Sequence, residues 1–271
     1  MGTILFELAL TGYFVAAILS AIDLFRNRSE TAKLTIWCMS AGFVLHTAAI
    51  AFRYAAGGHP PITSMHEAAS FFAWCISVIF FLLIFRYRIG TLVSFVVPIV
   101  FAVMLAAAFL PRAVAPLSPA LQSPWLWIHA LCAFMGIAAF AVAFGAGIMY
   151  LIQQYALKSK RLGGLSRSLP GLQEIDEVNH RMVNLGFPLF TMAIITGALW
   201  ADSTWGGFWR WDPKEVWSLV TWLVYALCFH LRYVSGWKQK RAAILSIIGF
   251  SVVLFTFFGV NLLLKSLHTF Q

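Results

Sequence analysis

The sequence predicts an all-α polytopic membrane protein, a single bundle of about eight transmembrane helices with both termini on the outer side. Three observations predict it. Of 271 residues, 61 % are hydrophobic and only 11 % charged, with a mean hydropathy of +0.83. Apolar runs of about 20 residues, the length that crosses a bilayer as a helix, recur along the whole chain. The basic residues, finally, are shared unequally between alternate loops, as expected of a chain threaded through a membrane. The net charge of +9 therefore reads as a topology signal and excludes nucleic acid as the implied partner.

Taken in order, the spans lie near 3–25, 34–54, 66–86, 91–110, 125–157, 182–201, 213–234 and 243–265. The first lacks a basic leading region and its charges follow it, so it reads as a retained helix and not as a signal peptide. The third opens on Ser64-Met65-His66-Glu67, a capping box. Pro98 in the fourth and Pro188 in the sixth should kink their helices. The fifth run is too long for the bilayer and should continue past it on one side. Within it Gly136, Ala139, Ala143 and Gly147 recur at helical spacing, a small-residue stripe for close packing. The seventh opens on Asp212-Pro213-Lys214-Glu215, an N-cap acid with proline at the first helical position and glutamate at the third. Asp212, Glu215 and Glu67 thus have a capping role whether or not they also touch a ligand. Between the fifth and sixth spans, 158–181 is the only polar stretch of any length; Gly163-Gly164 and Pro170-Gly171 suggest a hinge there.

With the N-terminus outside, the inner loops carry fourteen of the nineteen basic residues. The outer segments keep five: Arg53, Arg112, Arg210, Lys214 and Lys265. That bias favours N-out and C-out. The four cysteines, Cys38, Cys75, Cys132 and Cys228, all fall inside spans and none forms a Cys-x-x-Cys, so they read as packing residues and not as a thiol-exchange site.

The stretch from Trp200 to Glu215 concentrates the chemistry. It holds four of the eleven tryptophans, Trp200, Trp205, Trp209 and Trp211, with Phe208 and Arg210 among them. Belt tryptophans that mark a bilayer edge usually occur singly at helix ends. Three in seven residues, interrupted by glycines, look more like a platform for a large flat ligand; a plain interfacial belt is the alternative. This outward-facing loop, 200–215, is the distinctive feature of a single domain spanning 1–271.

Histidines carry the second signal. His129 lies about one turn into the fifth span, and His268 follows the eighth; in the N-out topology both reach the depth of the tryptophan loop. Each alone reads as a hydrogen-bonded helix residue. Two at matching depth beside an aromatic platform instead suggest a bis-imidazole site for haem iron, with tryptophans packed on the macrocycle. Arg210 and Lys214 suit the two haem propionates, or equally lipid phosphates. His230 lies 18 residues beyond Asp212, about 27 Å of helix away, so it belongs either to a second, inner haem or to a helix–helix hydrogen bond. His46 is weaker, His59 and His66 are either exposed or line the site, and His180 has no motif around it.

The segment Trp200–Glu215 with its continuation to Trp222 resembles the tryptophan-rich "WWD" signature of cytochrome c assembly proteins. Its Trp-Asp-Pro-Lys-Glu ending is similar to the CcsA/ResC type of the System II pathway, and Gly58-His59-Pro60-Pro61 with Glu67, Trp127-Ile128-His129, Gly259-Val260-Asn261 and Leu267-His268 extend the likeness over most of the chain. The resemblance implies a haem-handling subunit of a cytochrome c synthase that works with a CcsB-like membrane partner. It would bring haem b to the outer face for thioether attachment to Cys-x-x-Cys-His of apocytochrome c. It also implies His129 and His268 as outer axial ligands, Trp205, Trp209 and Trp211 as the haem-binding loop, and His230 as a ligand of an inner site. The family's second inner histidine belongs to the CcsB part and is missing here unless His46 or a partner protein supplies the ligand. The implied location is a bacterial plasma membrane with the site facing out, and a thylakoid membrane facing the lumen reads the same. A haem chaperone of the CcmC kind, or a HemX-like membrane regulator, is the alternative.

Overall fold

A computed structural model describes residues 1–26, 29–87, 90–112, 119–160 and 169–263. The described chain is helical, without strands. It comprises α1 (Gly2–Arg26), α2 (Ser29–Gly57), α3 (Met65–Tyr87), α4 (Val93–Ala108), α5 (Pro124–Lys158), α6 (Leu172–Trp205), α7 (Pro213–Tyr233) and α8 (Lys240–Leu254). A five-residue π turn, Phe255–Gly259, joins α8 to the short α9 (Val260–Leu263). Seven of the described helices are long and apolar enough to cross a membrane, and α7 is not among those seven. This is a multi-pass membrane protein.

Both capping boxes form as expected. Asp212 accepts from the Lys214 amide at 3.0 Å while Glu215 reaches back to the Asp212 amide. At the start of α3, the Glu67 amide donates to Ser64 Oγ at 3.2 Å, and Glu67 Oε2 accepts from the Ser64 amide. Pro98 and Pro188 lie inside α4 and α6.

The long helix α5 is the axis of the fold, buried against α3, α4, α6 and α8. Its small-residue stripe is what allows the approach. A Cβ on Gly136 would lie 3.0 Å from the Phe190 amide nitrogen, and one on Gly147 would lie 2.9 Å from the Ala243 carbonyl. Close backbone contact of this kind replaces the hydrophobic driving force that lipid cannot provide.

One expectation needs correction. The polar stretch 158–181 is not a loop throughout, because α6 begins at Leu172 with Gly171 as its N-cap. Leu172, Ile175, Val178 and Met182 form an apolar face at helical spacing, of which Ile175, Val178 and Met182 are buried. The polar residues between them serve another purpose. Asp176 makes a two-pronged pair with Arg232 of α7, at 2.8 and 2.9 Å, and also accepts the Gln239 amide at 2.8 Å. One carboxylate thereby ties α6, the end of α7 and the start of α8 together. Gly163 and Gly164 lie outside the described residues.

The helix ends sort into two faces. The starts of α1, α3, α5 and α7 and the ends of α2, α4 and α6 share one face, as an alternating bundle requires. The Asp176 cluster closes the other.

Candidate functional site

At the tryptophan-bearing end, α5 and α6 bring His129 to the side of Trp200. His129 Nδ1 donates to the Ala193 carbonyl at 2.7 Å. Because a carbonyl can only accept, the proton sits on Nδ1, and Nε2 of the neutral ring is left with its lone pair. The Thr196 hydroxyl of the same helix also donates to this carbonyl, at 3.2 Å, and the ring from the neighbouring helix makes the shorter bond, which fixes both tautomer and ring plane. That is the arrangement by which proteins orient an imidazole toward a metal.

Two further α6 residues complete the setting. Gly197 makes the space for the ring, since a Cβ there would sit 2.7 Å from His129 Nδ1. Trp200 lies nearly parallel to the imidazole, with centroids 6.2 Å apart and planes at 19°, and Trp205 meets Trp200 edge-on at 4.9 Å. Trp200 is buried and Trp205 half-buried. The result is an aromatic file running from His129 to the helix end.

Beyond it, the chain turns from α6 to α7 through residues 206–212. Gly206 takes the left-handed conformation, φ 73°, that closes the C-terminus of α6. Trp209 and Trp211 pack edge to face at 5.8 Å. Trp211 has φ 59°, rare for a bulky side chain, and its ring is 75 % exposed. The segment is held there by one carboxylate: Glu215 Oε2 accepts from the Arg210 amide at 2.8 Å and from the Asp212 amide at 3.3 Å. Arg210 and Phe208 are exposed, while Lys214 lies within electrostatic reach of His129.

The geometry thus unites His129, Trp200, Trp205 and Lys214, with Trp209, Arg210 and Trp211 on the adjoining turn. His268 lies outside the described residues. His230 is elsewhere, exposed on the outer surface of α7 near its far end. His46 is fully buried and both its nitrogens are engaged, by Tyr13 Oη at 3.3 Å and Ser70 Oγ at 2.9 Å. It therefore has no lone pair for an inner iron. His180 bonds Asn184 through Nε2 and packs at a tilt against Tyr233, with ring centroids 5.4 Å apart. His59 and His66 are buried, not exposed. Cys75 and Cys228 are buried, Cys38 and Cys132 half-buried, and all four are free thiols.

A family model for cytochrome c assembly proteins matches residues 62–268. The chain belongs to that family. It is of the CcsA type. It is 34 % identical to the cytochrome c biogenesis protein CcsA of Mesostigma viride over 246 residues, covering 82 % of this chain and 80 % of that protein. Against CcsA of Synechococcus elongatus it is 34 % identical over 266 residues, covering 80 % and 81 %. CcsA of Chlamydomonas reinhardtii is 34 % identical as well, but this CcsA-type chain spans only 63 % of its length. Among solved structures, the cytochrome c haem lyase CcmF superposes with a TM-score of 0.70 at 15 % identity, over 99 % of this chain and 47 % of that one. The likeness to CcmF is one of fold.

The family's residues meet the first test for haem. The Nε2 left by a backbone-bound Nδ1, the ring cleared by Gly197 and the neighbouring Trp200 are groups that could hold one face of a haem. Sequence reasoning set His129 at the depth of the tryptophan loop, where the structure places it, but missed Gly197 and the Trp200 contact; a lone glycine inside an apolar run was the available signal.

Proposed function

We propose that this chain carries haem b to the outer membrane face and presents it for thioether attachment to the Cys-x-x-Cys-His motif of apocytochrome c. The single observation that carries the reading is the His129 arrangement, Nδ1 on Ala193, Gly197 beneath the ring and Trp200 alongside. In this reading His129 and His268 would supply the imidazoles that hold the iron. Trp205, Trp209 and Trp211 cover the macrocycle and keep water from it, and Arg210 and Lys214 pair with its propionates. Haem supplies the vinyl groups to which the substrate thiols add. The protein's work is positioning, since the reactive group belongs to the ligand.

The exposed His230 supports a second element of the reading. A histidine on a lipid-facing surface wants a partner. A CcsB-like membrane protein packed on α7 would bury it and furnish the opposite ligand of an inner haem. The location that fits is a bacterial plasma membrane with the loop outside, or a thylakoid membrane with the loop in the lumen.

The test is the absorption spectrum of the purified protein, oxidised and reduced, beside His129→Ala/His268→Ala. Low-spin haem in the wild type that is lost or becomes high-spin in the double variant is the expected result. An unchanged spectrum would remove haem from this site. Thioether formation on a Cys-x-x-Cys-His peptide with the CcsB-like partner present then separates a synthase subunit from a chaperone that only hands haem on.

A further inference from the structure

At the same end of the bundle, but between α1, α2, α3 and the residue that follows α4's last turn, lies a cavity of about 170 Å³. It is smaller than the pockets of drug-sized ligands, which begin near 300 Å³. Arg53, His66, Glu67, Ser70 and Arg112 form its polar back, and Phe6, Ile50 and Phe52 its apolar side. Phe52 is half exposed on the outside of the bundle, so the cavity communicates with the lipid-facing surface.

His66 repeats the device seen at His129. Its Nδ1 donates to the Ala107 carbonyl at 2.8 Å, which leaves Nε2 as an acceptor. The residue is 4 % exposed overall yet lines the cavity, and no hydrogen bond described for it engages Nε2, which is open to a ligand there. An open imidazole acceptor at the cavity wall suits a ligand bearing an O–H or N–H group.

The charges specify the rest. Glu67 is fully committed: one oxygen takes Arg53 Nε, the other the Thr63 amide and hydroxyl at 2.9 and 2.8 Å. Arg53 is further tied to the Arg112 carbonyl at 2.9 Å. Arg112 is different. Its acidic partner Glu7, at 2.8 Å, has a side chain 57 % exposed, and an ion pair in that setting is easily exchanged. Phe6 braces both binding groups, tilted against His66 at 4.9 Å and under the Arg112 guanidinium at 5.3 Å.

We propose that this cavity binds the head of an anionic, hydroxyl-bearing phosphodiester, a phosphoglycerol group, with the phosphate on Arg112 in place of Glu7 and the hydroxyl donating to His66 Nε2. Guanidinium matches phosphate in planar fork geometry, and basic pockets between transmembrane helices hold anionic lipid heads. The apolar side and its opening toward lipid make phosphatidylglycerol the natural source; soluble glycerol phosphate has the same chemistry. The site is separate from the His129 file and does not depend on haem being bound there.

The experiment is native mass spectrometry of the full chain from nanodiscs containing phosphatidylglycerol, phosphatidylmethanol, which lacks the hydroxyl, or phosphatidylcholine. One phosphatidylglycerol per chain should survive delipidation. Arg112→Gln should lower its retention about tenfold, the size of one charge-assisted hydrogen bond. His66→Phe should abolish the preference for phosphatidylglycerol over phosphatidylmethanol. Glu7→Gln, which frees Arg112 and carries little risk to folding, should raise retention. Displacement by soluble glycerol phosphate at millimolar concentration would name the soluble source; no displacement would name the lipid. Equal retention in the wild type and in Glu7→Gln, or no preference for the hydroxyl-bearing head, overturns the proposal.

Discussion

A methyl group on Gly197 would lie 2.7 Å from His129 Nδ1, nearer than any side chain can come without displacing the ring. The neighbouring turn of α6 supplies the Ala193 carbonyl that the same nitrogen donates to. Space and partner therefore come from positions one turn apart. Gly197→Ala should push the ring off its carbonyl. In an unconstrained helix the change would stabilise by about 1 kcal/mol. Here we expect a lower thermal midpoint and, if haem binds as proposed, a several-fold loss of its low-spin absorbance, with His129 itself unchanged. An intact spectrum would show that the ring's placement does not matter.

Glu215 holds the tryptophan turn by its backbone. Glu215→Ala should cost about 1 kcal/mol, the worth of a cap, and release the Arg210 and Asp212 amides together. Trypsin added to reconstituted protein should then cut at Arg210 faster than in the wild type. Glu215→Gln keeps an accepting oxygen and should restore most of the protection.

The opposite end should respond to Asp176. Its carboxylate is 11 % exposed and serves Arg232 and the Gln239 amide. Asp176→Ala leaves a shielded guanidinium without its anion and should destabilise by roughly 3 kcal/mol. Thermal unfolding measures it. Haem absorbance per folded chain should be unchanged, because no described contact links Asp176 to His129.

Orientation is the fourth prediction. In a cysteine-free background, Ser203→Cys should react with a membrane-impermeant maleimide on intact cells, and Lys238→Cys only after lysis. The reverse pattern would overturn the N-out reading of the basic residues.

What the sequence disclosed and what it withheld follow one division. Features made by residues close in the chain were legible: both capping boxes, the prolines inside helices, and the Gly136–Gly147 stripe. So was His129, because depth along a helix can be counted. Features made between helices were hidden. Nothing local says that Ala193 offers its carbonyl, or that His46 spends both nitrogens on Tyr13 and Ser70. The early start of α6 was masked by Asp176, whose polarity looks like a loop until its partner Arg232, 56 residues on, is brought beside it. Trp211's left-handed backbone was likewise unreadable, since no glycine announces it.

The π turn at Phe255–Gly259 has a consequence for how the end of the chain tolerates change. A π turn holds one residue more than the α-helical path requires. Within it Thr256 bonds Thr221 at 2.9 Å, and Phe255 packs on Trp217 at 4.4 Å. Deleting one residue inside the turn would let the helix regularise and keep its axis. The same deletion within α8 would rotate everything after it by about 100°, carrying Thr256 away from Thr221. The spare residue is therefore slack in the thread, and the azimuth of α9 is set by how much of it is taken up.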